Sequence, residues 1–479
     1  MKKKFFANLI FLISLNLLVK PFWVLGVDRS VQNVVGTEDY GLYFALFNFS
    51  LILNIILDFG LTNYNNRNIA QHKQLLTKYF SNIVVLKLIL SLFYAVVAIS
   101  IGLLFGYSWE EFKILFFLIF NQFLLSFILY LRSNISGLHL FKTDSLISVL
   151  DRVIMIGIVS LLLWTNITDS KFKIEWFVYS QTFAYSITAL VAFFVVLPKI
   201  KYLKLRFDKA LLFLILKETF PFALLVFLMG FYNRFDGVLI ERLLTNGSHQ
   251  AGVYAQSFRL LDASSQFALL FSVLLLPIFA KMIKNKESVN ELVNFSYLLI
   301  LVPGIILVVV SIFFRVEIMN LLYDDLSSDS YIIFAILISA FLPISATYIF
   351  GTLLTANGSL KQLNIMAIIG VAINLSLNFM LIPILGAKGA AITSIATQSF
   401  TAITQIFIAK HFFNLKILKM QLLSIITFVI VFVSFVYLIH ANIENWLISM
   451  PLSVLVGILL GFVFRLLNLK TFYQILKSK

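Results

Sequence analysis

The chain has 479 residues, 61% of them hydrophobic and only 12% charged, with a formal charge of +15. Soluble domains carry about 25% charged residues, so an ordinary globular protein is excluded. The absence of cysteine excludes disulfides, thiolate catalysis and cysteine-ligated metals.

Apolar stretches long enough to cross a hydrocarbon layer of about 30 Å recur along the whole chain. Inside a bilayer every backbone polar group must be satisfied within the protein, which leaves helices or closed barrels. These runs are too long and too continuously apolar for barrel strands. The sequence therefore predicts an all-α polytopic membrane protein of about 14 transmembrane helices. The first run, 6–27, follows three lysines but continues past Lys20 and Pro21 without a small-residue cleavage site, so it reads as an uncleaved first span. The others fall near 41–61, 80–104, 114–131, 153–164 (with a start nearer Leu146), 177–197, 219–240, 252–279, 292–314, 331–356, 363–384, 390–408, 422–440 and 447–464.

Loops alternate in basic content. With a cytoplasmic N-terminus, the inside segments hold 26 Lys/Arg and the outside loops 7; four more lie in spans, which accounts for all 37. By the positive-inside rule both termini are cytoplasmic and the span count is even. The positive charge is thus mainly a topology signal with affinity for anionic inner-leaflet lipid, and nucleic-acid binding is a poor reading. The longest non-membrane segments, about 21 residues near 132–152 and 198–218, are too short for a soluble domain, and the second is basic and amphipathic enough to lie on the membrane surface. There is no phosphate-binding loop, dinucleotide motif or zinc-binding HExxH, and the five histidines lack ligand spacing. Enzyme chemistry has no visible apparatus.

One pattern repeats. Gly36–Tyr43 (GTEDYGLY) and Gly247–Tyr254 (GSHQAGVY) share GxxxxGxY at an offset of 211, each on the outside before an even-numbered span. Two six-span halves would be parallel repeats about an axis along the membrane normal, with a substrate path between them. This gives residues 1–210 as an N-terminal lobe (spans 1–6), 211–415 as a C-terminal lobe (spans 7–12), and 416–479 as spans 13–14 with a cytoplasmic tail. The glycines themselves read as structural.

The stretch from Gln32 to Ala70, with its GTEDYG turn, Asp58-Phe59-Gly60-Leu61 and Arg67, resembles the start of Wzx-type polysaccharide and O-antigen flippases. These belong to the multidrug/oligosaccharidyl-lipid/polysaccharide exporter superfamily. Asn374 to Ala391 is similar to the family's eleventh span, and Tyr232 to Asp262 to the start of its second half. The resemblance implies two pseudo-symmetric six-helix bundles in a V, like multidrug exporters of the MATE type, plus two C-terminal helices. It implies undecaprenyl-pyrophosphate-linked oligosaccharide moved from the cytoplasmic to the periplasmic leaflet of the bacterial inner membrane by alternating access. It implies no cofactor beyond a coupling H+ or Na+, a monomer, and lipids and other polysaccharide-assembly proteins as partners. Relatives that move a peptidoglycan precursor form a lipid-tail groove with the last two helices, and spans 13–14 could do likewise.

Ionisable residues inside spans cost about 2.5–3.5 kcal/mol each at a helix centre and face water or a partner. Asp58 lies near the cytoplasmic end of span 2, where capping or contact with water competes with a functional role. Lys87, two turns into span 3, reads as snorkelling. Arg259 and Asp262, at i and i+3, can pair with each other. Arg234 and Asp236, at i and i+2, point apart and each needs an outside partner. Lys20 lies deep in span 1 beside Pro21. If the repeat holds, Lys20 and Arg234 reach one cavity, where Arg grips phosphate oxygens bidentately and Lys acts as a point charge. The candidate pyrophosphate ligands are therefore Arg234 and Lys20 with Arg259, and the candidate ion-coupling carboxylates are Asp236, Asp262 and Asp58. Gly457 and Gly461 form a GxxxG expected to pack closely, against span 13 among other choices. Asn374 and Asn378 share a face and suit interhelical hydrogen bonding.

Two other readings stand beside the flippase. One is an ion-coupled exporter of drugs or small cations from the same superfamily. The other is a membrane polysaccharide polymerase or ligase, disfavoured by short, acidic outside loops.

Overall fold

The computed structural model describes residues 15, 18–19, 21–72, 74, 76–165, 171–200, 209–415 and 419–467. Among these residues 13 helices are long and apolar enough to cross a membrane. They coincide with spans 2–14 of the sequence reading; the first span falls mostly outside the described residues, and so does Lys20. Past Pro21 the chain is π-helical over Trp23–Asp28 and then α-helical over α1 (Arg29–Val35).

The chain divides into two compact units, Met1–Gly252 and Val253–Lys479. In the first unit α2 (Thr37–Ile52) ends in a tighter 3-10 turn, Leu53–Leu57, and is followed by the polar α3 (Leu61–Gln71). Then come α4 (Leu76–Leu104), α5 (Trp109–Gly137), α6 (Phe141–Trp164), α7 (Ile174–Val196) and α8 (Lys209–Leu243). Phe80 and Ile83 of α4, Tyr130, Leu131 and Ile135 of α5, Ile147 of α6, and Ala192 and Val196 of α7 close one apolar core. Helix α8 packs along α2.

One expectation about a loop is corrected. The segment 132–152 is not a loop of about 21 residues, because α5 runs to Gly137 and α6 begins at Phe141. Two of its charged residues pair across the turn: Arg132 Nε lies 2.8 Å from Asp144 Oδ1. The segment 198–218 is outside the described residues from 201 to 208, and from Lys209 onward it is already α8, continuous with span 7.

The repeated glycines meet inside this unit. The next helix, α9 (Gly247–Lys284), begins there, and its first residues, up to Gly252, lie against the start of α2. A Cβ on Gly41 would lie 1.8 Å from the Ser248 carbonyl oxygen, and one on Gly252 would lie 1.9 Å from the Thr37 carbonyl oxygen. Thr37 and Ser248 are themselves 211 apart, so the two contacts are reciprocal. Only glycine allows such backbone approach. Gln32 Nε2 adds a hydrogen bond to the Gly252 carbonyl at 3.0 Å.

The second unit holds the rest of α9, α10 (Asn290–Phe313), α11 (Arg315–Leu322), α12 (Ser328–Ser339), α13 (Phe341–Ala356), α14 (Leu360–Leu385), α15 (Ala387–Phe413), α16 (Lys419–Asn442) and α17 (Trp446–Val463). The single span expected at 331–356 is interrupted at Ala340, because Pro343 has no N–H to return to Ser339. The Gly-rich turn between spans 11 and 12 joins two full helices: Gly386 takes φ +60° and Gly389 sits against the Leu381 carbonyl. The GxxxG glycines of α17 seat on two helices. Gly457 faces Ile306 of α10 and Phe432 of α16, and Gly461 faces Val302 of α10. The last two helices are thereby fastened to α10 by an apolar core that includes Phe428, Phe432 and Val436.

Candidate functional site: charges inside the first unit

Span 2 does not run straight to its end. After the 3-10 turn, Phe59 and Gly60 take φ of +41° and +82°, rare for a side chain such as phenylalanine. The Leu61 N–H bonds to the Asp58 carbonyl at 2.7 Å, so the Leu57 carbonyl loses the partner a regular helix would give it. Lys87 of α4 fills the gap. Its ammonium donates to the Leu57 carbonyl at 3.0 Å, to Asp58 Oδ1 at 2.8 Å and to Ser126 Oγ of α5 at 2.7 Å. The side chain is 2% exposed. Lys87 therefore does not snorkel, since all three of its donors are used inside the unit. Asp58 also accepts from the Thr62 hydroxyl and, at 3.4 Å, from the Thr62 N–H. One turn away, Asn54 Nδ2 donates to Gln122 Oε1 at 2.7 Å.

A second charged group lies halfway along α6, in a span that the sequence reads as starting near Leu146, although the sequence count puts Arg152 with the inside segment and not among the charges within spans. Arg152 is partly buried, with its guanidinium 5.4 Å from the Trp23 ring and 6.0 Å from the Tyr185 ring. Its Nη1 donates to the Tyr185 hydroxyl at 3.4 Å, and its Nε is 3.7 Å from Asp151. Around it, Trp23 stacks on Phe177 at 5.7 Å, Gln181 Nε2 donates to the Tyr43 hydroxyl at 2.7 Å, and the Tyr40 hydroxyl donates to Asp28 at 2.7 Å. This is an amphipathic aromatic wall around a permanent cation, suited to holding an anion. A signal for it was present: Phe141, Leu146, Ile147, Val149 and Leu150 extend the apolar run backward past Asp151 and Arg152.

Of the predicted site residues, Arg234 and Asp236 both lie within the span Leu216–Leu243, Arg234 partly buried and Asp236 1% exposed. Next to Asp236, Gly237 seats on Phe44 and Asn48 of α2. Arg259 and Asp262 are partly buried on α9, within the second unit. Asp58 is joined to Lys87 as described.

A third cluster sits where α8 ends and α5 begins. Arg242 pairs with Glu111 and Glu241, and its guanidinium lies 4.3 Å from the Tyr107 ring. Burial, with Glu241 next in effect, pushes the Tyr107 hydroxyl pKa up. Glu111 also closes a capping box with Ser108 at the start of α5. Among the described residues no group of three or more His, Cys, Asp or Glu could hold a metal.

Thirteen membrane-length helices among the described residues, with charged groups built into the spans, mark a multi-pass membrane protein. The lipid II flippase MurJ in an inward closed conformation shares the fold, at 18% identity over 96% of this chain and 99% of that one, TM-score 0.67. A multidrug-resistance MATE-family transporter of the MOP superfamily, inward-facing, matches at 15% identity over 85% and 98%, TM-score 0.61. A MOP superfamily transporter from Pyrococcus furiosus, whose reversed binding-pocket polarity suggests a different function for it, matches at 16% over 85% and 94%, TM-score 0.58. None of these three is described as an enzyme. No curated protein matches the sequence. The family profile described as polysaccharide biosynthesis protein matches residues 5–283, more than half of the chain, and the chain belongs to that family. The sequence resemblance agrees with that family at the level of polysaccharide biosynthesis, and the fold is the one these solved structures share.

Proposed function

We propose that the protein is a flippase for undecaprenyl-pyrophosphate-linked oligosaccharide, an O-antigen, capsule or exopolysaccharide repeat unit. It carries this lipid from the cytoplasmic to the periplasmic leaflet by alternating access. Membership of a polysaccharide biosynthesis family and a fold shared with a lipid II flippase support this reading. The observation that carries it is Arg152. It is an always-charged group at mid-span, braced by Trp23 and Tyr185, whose Nη2 makes no hydrogen bond among the described residues. A guanidinium with a nitrogen left over beside its Asp151 and Tyr185 partners can grip a diphosphate oxygen. An exporter of cations would want the reverse, and here Asp58 is already matched by Lys87. Arg152 is added as a candidate to the sequence-derived diphosphate ligands Arg234, Lys20 and Arg259, each taken on its own, with Asp236 and Asp262 as the coupling carboxylates for H+ or Na+.

The test is leaflet transfer in vesicles reconstituted with a defined lipid-linked oligosaccharide. A charge-assisted hydrogen bond contributes about 1.5–3 kcal/mol, so Arg152→Gln and Arg234→Gln should each slow transfer by roughly 10–100-fold at low substrate. The Lys variants should keep part of the rate. Wild-type transfer by both Gln variants would refute the assignment.

A further inference from the structure

The environment of Lys87 has the form of a cation site. Three oxygens of different kinds converge on its ammonium at 2.7–3.0 Å: a main-chain carbonyl from a broken helix, a carboxylate and a hydroxyl. Carbonyl, carboxylate and hydroxyl oxygens are the donor set that hard monovalent ions take in proteins. The Tyr130 ring, 5.9 Å from the ammonium, adds a further surface that attracts cations. The helix break supplies the site: Leu57 offers its carbonyl only because Phe59 and Gly60 turn the chain aside. The Ser126 hydroxyl donates to that same carbonyl at 3.2 Å, which leaves its oxygen lone pairs facing the ammonium.

We propose that Lys87 is a tethered cation: its ammonium occupies a monovalent-cation site formed by Leu57, Asp58 and Ser126, and removing that side chain opens the site to ammonium or potassium from solution. The residue thus holds the broken end of span 2 without drawing on any ion gradient. Asp58 is in consequence set apart from Asp236 and Asp262 as a coupling group. The proposal does not depend on what the protein transports.

The experiment measures thermal unfolding of the full chain, purified in detergent, in choline, sodium, potassium or ammonium chloride at equal ionic strength. Lys87→Ala should unfold at a lower temperature than wild type in choline. Ammonium or potassium at about ten times its Kd should raise that midpoint by roughly 1.5–3 °C. Wild type should show no such response, and Asp58→Asn/Lys87→Met, lacking both charges, should show none either. Because the chain has no cysteine, Lys87→Cys treated with 2-aminoethyl methanethiosulfonate offers a second reading. Restoring an ammonium there should raise the midpoint and abolish the salt response. Equal midpoints for Lys87→Ala in all four salts would overturn the proposal. So would a potassium or sodium response in wild type that Asp58→Asn removes, since Asp58 would then be taking a solution ion with Lys87 in place. If Lys87→Ala gives no folded protein even when extracted into potassium or ammonium, the site is a packing element and the proposal also fails.

Discussion

The contact of α2 with the first residues of α9 allows a packing prediction to be worked from distances. In Gly41→Ala the new methyl would start 1.8 Å from the Ser248 carbonyl oxygen and 2.5 Å from the Gly252 nitrogen. Both obstacles are main chain, so no rotamer change relieves the clash. Reaching an ordinary contact of about 3.4 Å requires the two segments to separate by about 1.6 Å, and a gap even half that size already forfeits a quarter to a half of each dispersion contact between them. The Gln32–Gly252 hydrogen bond, 3.0 Å in the native protein, stretches as well, at a cost near 1 kcal/mol. Overpacking of this kind costs about 1–3 kcal/mol, and the absence of any yielding side chain puts Gly41→Ala near 3. Gly252→Ala, 1.9 Å from the Thr37 carbonyl, should cost about the same. The two changes wedge one contact apart, so the double variant should lose clearly less than the sum. Gly157, at mid-helix in α6 with nothing within 4 Å of a built Cβ, is the control and should tolerate alanine without loss. Thermal unfolding in detergent, monitored by size exclusion, measures all four. A Gly41→Ala protein with the midpoint of wild type, or strictly additive losses in the double variant, would refute the reasoning.

If Asp236 is a coupling carboxylate, Asp236→Asn should abolish the dependence of lipid transfer on an imposed pH or sodium gradient; unchanged gradient dependence removes it from that role. At the start of α5, Ser108 caps the Glu111 N–H and Glu111 caps the Ser108 N–H. Ser108→Ala should therefore lower stability by about 0.5–2 kcal/mol in thermal unfolding, and a loss below that range would mean the Glu111–Arg242 pair already fixes the helix start.

The span plan was legible in the sequence because it depends on one local property. About 20 apolar residues in a row must become a helix in lipid whatever surrounds them, so 13 of the spans could be placed before any packing was known. The reciprocal glycines were legible as a repeat for a similar reason, since residues that permit backbone contact leave a mark in composition. What each buried charge does was not legible. Lys87 reads as a snorkelling lysine from its depth, and only the departure of Phe59 and Gly60 from helical geometry, which orphans the Leu57 carbonyl 30 positions earlier in the chain, draws it inward. Arg152 counts with the inside segment in the sequence although the span reads as starting near Leu146, and only the packing shows Trp23 and Tyr185 lying beside it. Hydropathy sums over neighbours along the chain and so determines that a segment crosses the membrane. The partner of a charge lies on another helix, and its choice is an electrostatic and steric matter that tertiary packing alone decides.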